Sequence, residues 1–272
     1  FNVNNRISTS ISLAGQNIFQ VGKNVTEYAV SPNGVVQPAN TGGAVGAIRY
    51  KAQKDMLDAG DENLFASAFG GLTRDAIADS GMLASTLGKD APFKTEFPKT
   101  SLGNQLRMIA RLIAAAPDLG LRRQIFFARI GGWDLHNTQL SAHAKLFGDV
   151  SLSLAAFYRT TVELGLADRI TTFTASDFGR TYTTNGDGSD HGWGSHHLVL
   201  GGAVSGGDIY GRVPDLVVNG PEDTGRGRWI PTTSVDEYSA TLAAWFGVSA
   251  ADLPVVLPNI GRFAKPNLGF MA

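Results

Sequence analysis

Gln124-Ile125-Phe126-Phe127-Ala128-Arg129-Ile130 runs directly into Gly131-Gly132-Trp133-Asp134-Leu135-His136. The first seven residues are mostly apolar, as suits a strand buried on both faces of a parallel sheet. The two glycines let the chain turn, and the polar residues after them fall at the strand's carboxyl end. Helix-spaced residues follow over 137–164, with Leu140, Leu146, Val150, Leu154 and Phe157 available to a core face. Residues 169–175 make a second strand-like run, and Leu198-Val199-Leu200 a third. Strand, helical crossover and strand in succession mark a parallel sheet. The expected class is therefore α/β, a mostly parallel sheet flanked by helices.

Working outward, Thr100-Ser101 precedes a helix over 102–115 with Leu106, Ile109, Leu112 and Ile113 on one face, ended by Pro117 and Gly120. Helical spacing also covers 45–87, where Gly60, Gly70 and Gly71 are expected to divide it into more than one helix. The first 50 residues read as β-rich. Ile7, Thr9, Ile11 and Leu13 alternate with serines as in a half-buried strand, Asn33-Gly34 is a hairpin turn, and Thr41-Gly42-Gly43 a loop. Near the end, Ser234 with Glu237 forms a capping box for a helix reaching Phe246 before Gly247.

Composition closes off several functions. Of 272 residues, 43% are hydrophobic and 17% charged, with a formal net charge of −1. That balance allows a sizeable core and gives no electrostatic footprint for nucleic acid or an anionic membrane. There is no cysteine, so thiolate metal sites, cysteine nucleophiles and disulfides are all excluded. No run approaches the length of a membrane span.

The chemistry is concentrated. All five histidines, His136, His143, His191, His196 and His197, lie within one region of the chain, 136–197. They accompany the GGWDLH motif, the Ser176-Asp177-Phe178-Gly179-Arg180-Thr181 motif after the second strand, and the loop Asp190-His191-Gly192-Trp193-Gly194-Ser195-His196-His197. In open α/β sheets, ligands bind beyond the carboxyl ends of the strands. Two strands each deliver an aspartate there, and a loop adds a third with three histidines. Carboxylate and imidazole together suit Zn²⁺, Mn²⁺ or Fe²⁺ better than Ca²⁺. Arg180 offers a planar fork to phosphate or sulfate.

Each residue also has a plainer reading. Asp134 is a favoured N-cap for the helix that follows. His143 fits a supporting role, Trp193 a core anchor, and Asn185-Gly186-Asp187-Gly188 a flexible loop. The loop at 214–228 carries no readable code. At the start of a strand His196 and His197 point to opposite faces, so one of them at most is an easy ligand.

GGWDLH, SDFGRT, NGDGSDHGWG, LVLGGAVSGGDIYG and RGRWIPTTSVDEYSATLAAWFGV together resemble a bacterial family, domain of unknown function 1501, over at least 123–263. The segment SLAGQNIFQVG near the start fits as well. The resemblance implies kinship with the alkaline phosphatase and sulfatase superfamily, an alkaline-phosphatase-like parallel core, a two-metal ester hydrolase site, and export by the twin-arginine route to the periplasm or cell surface. It also implies that Asp134 and His136 bind one metal and that Asp177 occupies the place of the superfamily's Ser-Asp-His-Gly element, where Phe178 replaces the histidine. Asp190 with His191, or His196 with His197, then completes the ligands. The family's early Arg-Gly-Gly-x-Asp-Gly-like element has no counterpart here. The expectation is one α/β domain over 1–272, the C-terminal two-thirds of a larger one, with a β-rich segment at 1–50 and the core at 100–265.

The expected function is hydrolysis of phosphate or sulfate esters with divalent metals, two in the intact protein. Asp134, His136, Asp177, Asp190 and His191 are the metal candidates, and Arg180, His196 and His197 the substrate candidates. The partner is a small anionic ester or a sulfated or phosphorylated glycan, with the N-terminal part or a second copy as a possible protein partner. No nucleophile is assigned: Thr181 and Ser195 lack a base and the strand context. The alternative is a non-catalytic metal- or glycan-binding envelope protein on the same fold.

Overall fold

In the computed structural model, residues 2, 7–23, 25, 27–88 and 90–272 are described; Phe1, where the sequence starts, lies outside them. The chain is α/β, and it divides into two compact units, Phe1–Ile130 and Gly131–Ala272.

The first unit is built on a parallel three-stranded sheet. Strand β1 (Ser10–Ser12) lies between β2 (Tyr28–Ala29) and β3 (Ile125–Phe127), with Ile11 opposite both Tyr28 and Phe126. The opening strand is not half-buried as its alternation suggests. Ser10, Ile11 and Ser12 are all buried, because a central parallel strand is covered on both faces. Serine is tolerated there because its hydroxyl bonds locally: Ser12 Oγ donates to the Gly15 carbonyl at 2.5 Å. The Gln20 amide donates to the carbonyls of Ile11 and Ile125 and so ties β1 to β3. At Asn33-Gly34 the chain turns between a single bridged pair, Ser31 and Gly34, and no hairpin of strands flanks it.

Helices α1 (Gly43–Asp58), α2 (Leu64–Leu87) and α3 (Ser101–Ala114) connect β2 to β3. Gly60 separates α1 from α2, but α2 runs straight through Gly70 and Gly71. Leu83 and Leu87 of α2 are buried, while Leu64, Phe65, Phe69 and Leu72 face solvent. The strongly amphipathic α3 buries Leu102, Leu106, Ile109 and Leu112, and the Thr100 hydroxyl caps it by accepting from the Gly103 N–H. A Cβ on Gly103 would lie 2.1 Å from the Pro98 carbonyl oxygen, so only glycine fits. Buried Gln105 exchanges two hydrogen bonds of 2.9 Å with the backbone of Arg129, standing in for a strand partner just beyond β3.

The second unit holds α4 (Gln139–Glu163), α5 (Val235–Phe246) and four short strands. Strand β4 (Thr171–Phe173) pairs with β7 (Val199–Gly201), and β5 (Gly179–Thr184) with β6 (Ser189–Gly192), in both cases antiparallel. This corrects the parallel arrangement expected for these strands; β3 and β4 belong to different sheets. The reason is connectivity. A parallel return needs a crossover, usually helical, whereas the chain between β4 and β7 forms the β5–β6 hairpin and loops. The core face of α4 lies in its C-terminal half, where Ala156, Phe157 and Thr160 are buried, while Leu140 near its start is exposed. The capping box at Ser234 and Glu237 is formed, and Gly247 closes α5 at φ 109°. Among the described residues no helix is long and apolar enough to cross a membrane.

Candidate metal centre

Two segments of the second unit build the site: the turn at 131–138 and the β5–β6 hairpin. The register pairs Arg180 with His191. Directly opposed residues of an antiparallel pair point to the same face, so both side chains reach the same target, Asp134.

The hairpin tip locks onto the turn. The Thr138 N–H donates to the Asp187 carboxylate at 2.8 Å, and the Gln139 N–H to the Asp187 carbonyl at 3.0 Å. Thr138, at φ 49°, makes no side-chain cap, so Asp187 satisfies the first donors of α4 in its place. A Cβ on Gly188 would sit 2.3 Å from the carbonyl carbon of His136, and one on Gly179 2.1 Å from the Gly194 oxygen. Glycine is obligatory at both close approaches. The Asn185–Gly188 segment is thus a clamp rather than a free loop, and Asp134 is not the cap of α4.

At the centre, one Asp134 oxygen lies 2.7 Å from His191 Nε2 and 2.9 Å from His136 Nε2. An oxygen and two imidazole nitrogens, all within 4.8 Å of one another, can hold a metal ion together. Tetrahedral Zn²⁺ with bonds near 2.05 Å spaces its ligand atoms about 3.3 Å apart, so each nitrogen would stand about half an ångström farther from the Asp134 oxygen than it does here. The carboxylate is also approached by Arg180 at 3.4 Å. The hydrogen bond from His191, aided by the nearby charges, holds the Asp134 pKa below the usual range despite some desolvation.

Asp190 stands behind His136. One of its oxygens is 3.4 Å from His136 Nδ1, and its carboxylate also pairs with Arg226 and accepts from Asn185. The bond from Arg226 is the main reason its pKa is lowered. His136 therefore faces a carboxylate with each ring nitrogen. This is the arrangement in which an outer carboxylate orients a ligating histidine. Phe178 stacks on His191, with centroids 4.0 Å apart and planes 19° from parallel, and fixes that ring from its other side. Trp133, His143 and Phe147 pack together behind the turn, where desolvation lowers the His143 pKa.

The remaining candidates separate from this group. Asp177 is exposed before β5 and, among the described residues, its carboxylate joins no hydrogen bond, ion pair or ligand cluster. His197 turns to the β4–β7 side, with Nδ1 3.3 Å from Thr174 Oγ1 and its ring stacked on Tyr238; desolvation there lowers its pKa. His196, next to it, is exposed. Arg180 does not present a free fork. Its guanidinium is spent on the carbonyls of Leu135, Ser189 and Trp133 and on Ser189 Oγ, pinning the turn to the hairpin. The hydroxyl of buried Thr181 donates to the Thr183 carbonyl and accepts from the Asp190 N–H. Trp193 is exposed rather than a core anchor.

The family described as protein of unknown function, DUF1501, matches residues 90–234, more than half of the chain. The chain belongs to the DUF1501 family. The DUF1501 match takes in α3, β3, the GGWDLH turn, α4 and the whole hairpin, and ends at the cap of α5. Nothing among the curated proteins or the solved structures matches the chain.

Sequence reasoning missed the loop at 219–228, which is highly organised. The Asp223 carboxylate accepts four main-chain N–H bonds, from Asn219, Gly225, Gly227 and Arg228. Desolvation alone would raise the Asp223 pKa, but these donors bring it below the usual range. The readable signal was an aspartate followed at two and four residues by glycines, both here at positive φ.

Proposed function

We propose that Asp134, His136 and His191 bind a divalent transition metal and that this DUF1501 chain hydrolyses phosphate or sulfate esters. The observation that carries the reading is the convergence of both imidazole Nε2 atoms on one Asp134 oxygen. Two nitrogens and one oxygen suit Zn²⁺, Mn²⁺ or Fe²⁺. When bound, such an ion supplies a Lewis acid and a water of lowered pKa. The protein's own part is positioning. Asp190 and Phe178 hold the two rings, and Arg180 holds the backbone that carries Asp134. The described residues form one such cluster, so the proposal is for one metal there. Kinship with the phosphatase and sulfatase superfamily and work outside the cytoplasm, after export, belong to the same proposal.

The test is metal content after purification without chelator, with turnover of p-nitrophenyl phosphate and p-nitrophenyl sulfate. About one equivalent of Zn, Mn or Fe is expected, falling below a tenth in His191→Ala and in Asp134→Ala, with turnover lost in parallel. Metal retained by both folded variants would overturn the site. Metal bound without turnover would favour the second reading, a metal-binding protein with no hydrolase activity. The occupied hydroxyl of Thr181 and the replacement of a superfamily histidine by Phe178 favour that reading.

A further inference from the structure

Beside the ligand cluster lies a shallow, open cavity of about 370 Å³, lined by His191, Gly192, Trp193, Thr224 and Arg228. Three of the four arginines in this part of the chain are engaged: Arg180 with main-chain carbonyls, Arg212 with Glu222, and Arg226 with Asp190. Arg228 differs. Its Nε donates to the Gly225 carbonyl at 2.9 Å, which fixes the plane of the guanidinium, while its two terminal nitrogens have no hydrogen-bond or ion-pair partner among the described residues. Asp223 fixes the backbone beneath it.

Trp193 is 64% exposed, yet its orientation is set. Indole Nε1 donates to Thr224 Oγ1 at 2.8 Å, and that hydroxyl donates to the Arg228 carbonyl at 2.9 Å. The polar edge is satisfied and the ring stands in solvent, as an amphipathic platform does. Gly192 lies between His191 and Trp193 in the chain, and a Cβ on it would come within 3.0 Å of the Arg180 carbonyl oxygen across the hairpin. An apolar guest gains most from enclosing apolar walls, which an open cavity lacks. A pyranose ring, with an apolar C–H face and a rim of hydroxyls, suits one exposed indole and polar surroundings.

We propose that this cavity is a subsite for an anionic sugar, a pyranose bearing a carboxylate or sulfate. Its ring lies on Trp193, and its anion takes the two free nitrogens of Arg228 as a bidentate partner. The proposal deepens the hydrolase reading by naming the substrate class, and it rests on that reading only for the role of His191. Arg228, rather than Arg180, is then the anion-binding arginine.

Isothermal titration with a sulfated uronic-acid disaccharide, on chelator-treated and on Zn²⁺-loaded full chain, tests it, with lactose as the neutral control. The disaccharide is expected to bind both forms, and lactose at least tenfold more weakly. Trp193→Ala and Arg228→Gln should each weaken binding about tenfold, with Trp193→Phe and Arg228→Lys intermediate. No binding to either form, equal binding of lactose, or unchanged affinity in folded Trp193→Ala and Arg228→Gln would overturn the subsite. Sugar binding by a chain that takes up no Zn²⁺ on loading would leave the subsite standing and remove the metal centre. Metal without sugar binding would do the reverse.

Discussion

The β1–β3 sheet and the β5–β6 hairpin are both small β structures, yet different forces hold them. The sheet is held by burial. Ile11 is fully covered, and the amphipathic α3 of the same unit buries Leu102, Leu106, Met108, Ile109, Ala110 and Leu112. The hairpin buries few apolar groups and is fixed by polar side chains on main-chain atoms and by close approaches that only glycine allows. The first kind of structure resists loss of volume poorly, and the second resists gain of volume poorly. A site built on polar main-chain contacts leaves its side chains half in water, where ions and substrates reach them.

The sharpest way to break this comparison is a pair of opposite substitutions. Leu112→Ala, in a fully buried position of α3, is expected to destabilise the first unit by about 2–5 kcal/mol through lost transfer energy and a residual cavity. Metal content of the protein that remains folded should be unchanged; thermal unfolding with elemental analysis checks both. Gly188→Ala adds one methyl group against the His136 backbone. It is expected to lower metal affinity ten- to a hundredfold, where Leu112→Ala leaves the affinity of the folded protein unchanged. Equal losses of metal affinity in the two variants would erase the distinction.

The smallest effect concerns acid. The folded pKa of Asp223 lies below its ordinary value because four N–H groups favour the carboxylate. Its stabilisation is therefore present above the ordinary aspartate range and is lost as pH falls through the lower folded value. Asp223→Asn should be less stable than wild type near neutrality, with the gap closing under acid. A gap that widens on acidification would show that the carboxylate is not held by those donors.

Helix α3 and the capping box of α5 were legible because each is local: an aliphatic stripe, a Ser-x-x-Glu spacing. The apolar run at β3 marked a strand but not its place, for β3 is an edge strand with Ile125 exposed rather than one buried on both faces. Asp134 and His136 were legible as residue types in a motif after a predicted strand, and His191 in a motif read as a loop, though it lies in strand β6. Pairing direction was not. The apolar runs at β4 and β7 are the same whether the chain returns parallel or antiparallel, and only the absence of a helix between them decides it. The separate roles of Asp190 and Asp177 were equally hidden, because sequence places Asp177 after a strand and Asp190 in a loop, while only the hairpin register brings Asp190 behind His136. Arg180 shows the limit most clearly. An arginine near an aspartate looks like an anion receptor until the carbonyls that occupy it are found.

The side chains of Asp134, His136 and His191 are each about half open to water, at 59%, 48% and 48%. An ion held by such a set is not caged. Its departure requires no opening of the fold, and one divalent metal can replace another on the time scale of ligand exchange. Selection among Zn²⁺, Mn²⁺ and Fe²⁺ would then follow the supply of metals in the surroundings more than the shape of the cavity. On the proposed reading, the same chain loaded in different media would carry different ions.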